Sequence, residues 1–240
     1  MPLNEIFAIL RSTVIVLFLV PITLLFGTLS IARKNRNGSR VGALWAKTCL
    51  KIAGGRVKIH GLHHLDLKQN YVFVSNHQSM FDILVIMAYL PFSFCWVAKK
   101  ELFSVPFFGK CMDSIGSIPL DRKDNRSAMH SMNLALERVR KGASITVFPE
   151  GTRSRDGKIH KFKQGAFHVA LKSGKPVVPM LIIGTARMMP PGSFGTYPCT
   201  MELIVTPPID IRNMPSSKLE LANLTWRRIV TMNEQYGQSN

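Results

Sequence analysis

The chain has 240 residues, 46% of them apolar, which is enough for one sizeable buried core plus an appendage, with no repeat and no low-complexity tract. Its 31 Lys and Arg against 14 Asp and Glu give +17, a balance that predicts attraction to phosphate on nucleic acid, on a membrane surface or on a small substrate. Four widely spaced cysteines, Cys49, Cys95, Cys111 and Cys199, form no Cys-x-x-Cys, so neither a zinc site nor a disulfide framework is indicated and a reducing compartment is expected.

The first element is an uncharged run over residues 12–32, 21 residues long. As a helix rising about 1.5 Å per residue it matches a bilayer core of about 30 Å. Pro21 would kink it, and Thr13, Thr23, Thr28 and Ser30 dilute it, so a full span competes with shallow or re-entrant insertion. Its length and the charge after Ala32 disfavour a signal peptide. Arg33, Lys34, Arg36 and Arg40 follow the run and only Arg11 precedes it, a bias that puts the remainder of the chain in the cytosol. Residues 40–53 read as a two-faced helix, with Arg40, Lys47 and Lys51 on one stripe and Trp45, Cys49 and Ile52 opposite. Headgroup binding and ordinary packing on the domain are equal readings of it. Residues 1–55 are therefore expected to form a membrane-anchoring helical module and residues 56–240 the globular domain.

Strand and helix signals alternate through that domain. Strands are predicted at 56–60, 71–75, 93–98, 117–120, 144–148, 177–183 and 201–206, and helices at 80–90, 106–115, 127–141, 164–172 and 216–233. Alternation of this kind predicts an α/β fold: a central, largely parallel or mixed sheet flanked by helices, with its site in the loops at the strand C-termini.

Two of those loops carry chemistry. After the strand at 71–75 comes Ser75-Asn76-His77-Gln78-Ser79-Met80-Phe81-Asp82. A histidine at a strand-to-helix corner can act as general base, and Asp82 can fold back to fix its tautomer and stabilise the imidazolium. That is a triad without its serine, suited to direct acyl transfer in which the substrate supplies the hydroxyl. The plainer alternative is a capping box between Ser79 and Asp82. Ser79 lacks a Gly-x-Ser-x-Gly elbow and is a poor nucleophile candidate.

The second loop is Pro149-Glu150-Gly151-Thr152-Arg153, again after a strand. Gly151 permits close backbone approach, Thr152 offers a hydroxyl and Arg153 a planar fork for a phosphate dianion. Glu150 beside such an arginine is expected to orient it or to accept a substrate hydroxyl. Lys99, Lys100 and Arg122 fall where further strands end, and with Arg153 they would ring one sheet edge near His77.

In order and spacing, His77-Gln-Ser-Met-Phe-Asp82, Lys99-Lys-Glu-Leu with Gly109 and Ile118-Pro-Leu-Asp-Arg122, Phe148-Pro-Glu-Gly-Thr-Arg153, and Val178-Pro179 resemble the four motifs of the glycerolipid acyltransferase family. The likeness covers roughly residues 60–185. It implies that His77, paired with Asp82, deprotonates the 2-hydroxyl of lysophosphatidate (1-acyl-glycerol-3-phosphate) for attack on an acyl-CoA or acyl-carrier-protein thioester, giving phosphatidic acid with no cofactor. It further implies that Lys99, Lys100, Arg122, Glu150, Gly151, Thr152 and Arg153 bind the acceptor phosphate, and that Val178 and Pro179 help shape the acyl-donor site. Pro119 and Leu120 depart from the family's bulkier residues, which bears on acceptor preference. Glycerol-3-phosphate or another lysolipid is the alternative acceptor.

Outside the family, a thioesterase would use water in place of the acceptor. A nucleic-acid-binding module is favoured only by charge, with no basic-aromatic strand motif or recognition helix to support it. The expected partners are therefore lysophosphatidate, the acyl donor and a membrane lipid surface, with no nucleic acid, and the expected location is a membrane with the catalytic domain on its cytosolic face.

Overall fold

The structure, a computed structural model, describes residues 3–32, 38–121, 123–193, 195–213 and 217–237. Arg33, Lys34, Arg36 and Arg122 lie outside the described residues. Among the described residues seven strands, β1 (Arg56–His60), β2 (Val72–Ser75), β3 (Phe94–Lys99), β4 (Ile118–Leu120), β5 (Ser144–Val147), β6 (Val177–Ile183) and β7 (Thr200–Val205), form one sheet in the order β1-β7-β6-β2-β5-β3-β4. Neighbouring strands run parallel except β6 and β7, which are antiparallel. The helices are α1 (Leu3–Ala32), α2 (Gly38–Ile52), α3 (Phe81–Tyr89), α4 (Phe108–Ser114), α5 (Asn125–Arg140), α6 (Gly165–Ser173), α7 (Thr185–Met188) and α8 (Lys218–Gly237). The predicted strands all form, each within about a residue of its expected bounds; α7 is too short to leave a period in the sequence.

The central strand explains itself. Parallel strands covered on both faces read as continuous apolar runs rather than alternations. In β2, Val72 and Val74 face one core with Val139 of α5, Phe167 of α6 and Ile229 of α8, while the flanking Tyr71 and Phe73 face a second core with Leu50 of α2 and Val85 of α3. Tyr71, Phe73 and Phe92 close that second core as an aromatic cluster with ring centres 5.2–5.6 Å apart. The sheet is thus clamped between two helix layers, and only its ends are open for function.

Helix α2 belongs to one of those layers. Ala46, Leu50 and Ala53 are buried in the second core, and the Trp45 indole N–H donates to Thr23 Oγ1 of α1 at 3.0 Å, so its apolar face is turned to protein. Of its outward cations, Lys47 places Nζ 5.5 Å from the Tyr89 ring centre.

Helix α1 lies along the domain with one stripe. Ser12 Oγ accepts the Thr196 N–H at 2.9 Å in the N-terminal half, and Ser30 Oγ meets Ser114 Oγ of α4 at 3.2 Å near the C-terminal end. Gly27, between them, admits the Phe107 ring of the turn before α4. The polar residues that dilute the apolar run therefore have local causes: Ser12, Thr23 and Ser30 tie the helix down, and the Thr28 hydroxyl donates back to the Leu24 and Leu25 carbonyls. The opposite face, Phe7, Leu10, Val14, Leu17, Phe18, Leu24 and Leu25, is exposed.

Candidate active site

The site begins where β2 stops. Asn76 is fully buried, and its side-chain amide pairs with β6 as a backbone unit would: Nδ2 donates to the Ile182 carbonyl at 2.9 Å and Oδ1 accepts the Ile182 N–H at 2.8 Å. This splice satisfies β6 while freeing the chain to leave the sheet, and His77 is the first residue outside it. Both backbone groups of His77 are then held by the loop after β5. Its N–H donates to Glu150 Oε1 at 2.9 Å, and its carbonyl accepts the Ser154 N–H at 2.8 Å. The imidazole lies flat on the Phe148 ring, 4.0 Å between centres and 11° from parallel, and Trp96 stacks beyond Phe148 at 5.7 Å. Because β2 and β5 are adjacent and parallel, two motifs some seventy positions apart become one structure.

Asp82 sits in the first turn of α3 and is fully buried. Its Oδ2 lies 2.8 Å from His77 Nδ1 and also accepts the N–H groups of Gln78 and Ser79 at 2.7 and 2.8 Å. An oxygen already accepting two backbone N–H groups has nothing to donate, so Nδ1 carries the ring proton and the lone pair is on Nε2. Nε2 makes no hydrogen bond among the described residues. The capping-box contact and the contact to His77 are therefore made by the same carboxylate, since its bond with the Ser79 N–H is one leg of that box. Ser79 is no nucleophile: its hydroxyl donates to the Met189 carbonyl at 3.0 Å.

Glu150, expected to orient Arg153 or to accept a substrate hydroxyl, forms no hydrogen bond or ion pair with Arg153 among the described residues. It is buried, and its two oxygens accept the N–H groups of His77 and His160. Burial pushes its carboxyl up from the ordinary range, against those two N–H groups and the nearby imidazoles, which pull it down. It fastens the loop to His77. Gly151 turns the loop at φ +80°, leaving Thr152 and Arg153 exposed at its tip. Farther along, Asp156 accepts the Lys158 N–H, the Ser154 hydroxyl and a His160 ring contact, which hold its carboxyl down at about 2.

The remaining predicted residues are sorted by strand order. Lys99 ends β3, one strand beyond β5, and lies 3.4 Å from Glu101; Lys100 pairs with Asp121 just past β4. Both lysines are exposed and already have carboxylate partners. Val178 and Pro179 stand inside β6 opposite Phe73 and Val74, buried, so neither offers a free face to a ligand. Pro179 is tolerated there because β6 meets the β7 ladder only from Met180 onward, and its carbonyl still accepts the Thr206 N–H at 3.1 Å. Motif reading passed over Asn76 and Phe148 as site residues. A polar amide directly after an apolar strand was the available signal for Asn76; the aromatic before Pro149 reads as strand until its neighbour is known.

Among the described residues, no group of three or more His, Cys, Asp or Glu gathers where it could hold a metal ion. A family-level sequence profile described as Acyltransferase matches residues 56–183, from β1 through the end of β6, with both motif loops inside it. The chain belongs to the acyltransferase family. Relatives with that character include a chloroplastic 1-acyl-sn-glycerol-3-phosphate acyltransferase of Brassica napus, 41% identical over 65% of this chain and 45% of the relative. Another is the 1-acyl-sn-glycerol-3-phosphate acyltransferase of Helicobacter pylori, 31% identical over 84% of this chain and 83% of the relative. The chain thus spans less than half of the chloroplastic protein and most of the bacterial one. Among solved structures, the 1-acyl-sn-glycerophosphate acyltransferase PlsC from Thermotoga maritima superposes with a TM-score of 0.80 at 25% identity, over 98% of this chain and 96% of that one. That coverage carries the likeness to acyltransferase structure beyond the profile, into α1, α2 and α8.

Proposed function

We propose that this acyltransferase moves an acyl chain from a thioester, acyl-CoA or acyl-carrier protein, to the 2-hydroxyl of 1-acyl-glycerol-3-phosphate, producing phosphatidic acid. The observation that carries the reading is the state of His77. Its Nδ1 is held by a buried carboxylate, its Nε2 lone pair is free, and no serine or cysteine among the described residues hydrogen-bonds to that nitrogen. A base without a protein nucleophile takes its proton from a substrate alcohol, and Asp82 stabilises the imidazolium while the alkoxide attacks the thioester carbonyl. The proton then passes to the departing thiolate. The names of the Brassica napus and Helicobacter pylori relatives support the identity of the acceptor.

The acceptor's phosphate would be met at the β5 loop by Arg153, with Lys99 farther along the same sheet edge. Val178 and Pro179 would act on the acyl-donor site only through the packing of β6. Reaction at a lipid surface is supported by α1: held to the domain at Ser12 and at Ser30, it presents its long apolar face outward, as a helix lying along a bilayer does. A helix crossing the bilayer would draw Thr196 and α4 in with it. The +17 charge favours an anionic leaflet, which supports a cytosolic position for the domain.

The test supplies purified protein with labelled acyl-CoA and lysophosphatidate, glycerol-3-phosphate or no acceptor. Labelled phosphatidate only in the first arm is the expected result. Thioester cleavage equally fast without acceptor would establish a thioesterase instead.

A further inference from the structure

One cation beside the catalytic loop belongs to none of the motifs. Lys163 lies between the third and fourth motifs in the chain, yet its N–H returns to donate to the Pro149 carbonyl at 2.9 Å, and its side chain runs across the bare Cα of Gly151. A Cβ at residue 151 would stand 3.4, 3.2 and 3.1 Å from Lys163 Cδ, Cε and Nζ, so the absence of a side chain there makes a track for the lysine. The ammonium forms no hydrogen bond or ion pair with any described residue. Neither acidic residue of the loop, Glu150 or Asp156, forms an ion pair with it. Glu150 has both oxygens on backbone N–H groups, and Asp156 is occupied by Lys158, Ser154 and His160.

An ammonium with no ion-pair partner among the described residues is thus held against the same loop that fastens His77, whereas Lys99 and Lys100 lie one strand farther away with carboxylates of their own. The geometry points to Lys163 as the ammonium that grips the acceptor's phosphate monoester, acting as a point charge beside the planar fork of Arg153. The inference rests on the acceptor reading above and adds to it a residue, a phosphate contact and a second reason for Gly151.

The experiment compares the intact enzyme with Lys163→Met, which keeps the stem without the charge, and Lys163→Arg, which keeps the charge. Steady-state KM is measured for lysophosphatidate and for acyl-CoA, together with Ki for glycerol-3-phosphate, the headgroup without its acyl chain. Loss of one charge-assisted phosphate contact predicts that Lys163→Met raises acceptor KM and headgroup Ki together by about tenfold, with acyl-CoA KM within about twofold and Lys163→Arg within about threefold of the parent. An unchanged acceptor KM in Lys163→Met overturns the assignment while leaving the reaction intact. Equal impairment of both variants, or a rise shared by both substrates, also overturns it, because the lysine is then only packing. If the unaltered enzyme fails to acylate lysophosphatidate, the acceptor reading has failed first, and the two failures are told apart by that arm.

Discussion

At the scale of single residues, Asp82 Oδ2 serves the imidazole and two backbone N–H groups at once, while Oδ1 is buried with no hydrogen-bond partner among the described residues. In the proposed mechanism Asp82→Asn removes the charge that would stabilise the imidazolium but keeps the volume. It should cost about two to four powers of ten in kcat, as should His77→Ala, with acceptor KM little changed; single-turnover kinetics on folded variants checks this. Glu150 makes a different prediction, because both its oxygens must accept. A carboxamide accepts with one end only, so Glu150→Gln leaves either the His77 or the His160 N–H facing another donor. The cost of one such buried, unmet group is a fall of about tenfold in kcat. An unaltered kcat would mean the loop holds His77 without this carboxylate.

Elements decide how the molecule meets its substrate. Helix α1 is apolar nearly all round in sequence, yet in the fold its two sides differ in kind: small and hydroxyl residues dock on the domain, and Leu17, 69% exposed, lies on the free side with Phe18 and Leu25. Charges placed on the free side should weaken membrane seating without unfolding the domain. Leu17→Lys with Phe18→Lys is expected to lower partition into phosphatidylglycerol-containing vesicles by about tenfold or more while leaving the thermal midpoint near that of the parent, read by vesicle sedimentation and calorimetry. A lowered midpoint with unchanged sedimentation would instead place that face against protein.

For the whole molecule the relevant quantity is net charge. With +17 over the chain, attraction to an anionic bilayer adds to the apolar face of α1, and only the electrostatic part is screened by salt. Binding to anionic vesicles should therefore fall severalfold as salt rises from about 0.05 to 0.5 M, and binding to neutral vesicles should barely move. A salt-insensitive partition would leave the charge without a part in membrane binding.

The chain by itself determined the order of strands and helices, because apolar periods and stop residues such as Gly142 and Gly174 are local. It also determined the paired histidine and aspartate, because five residues at a helix start are close in space whatever the rest of the fold does. The tertiary structure alone decided which distant groups meet. Sequence period cannot say that β5 inserts between β2 and β3, and it is that placement which turns Glu150 from a partner of Arg153 into the tether of His77. The same holds for Phe148 beneath the imidazole and Asn76 in the ladder of β6. A side chain's partner across a sheet is fixed by strand order and register, and these follow from long-range packing of two cores that no local window contains.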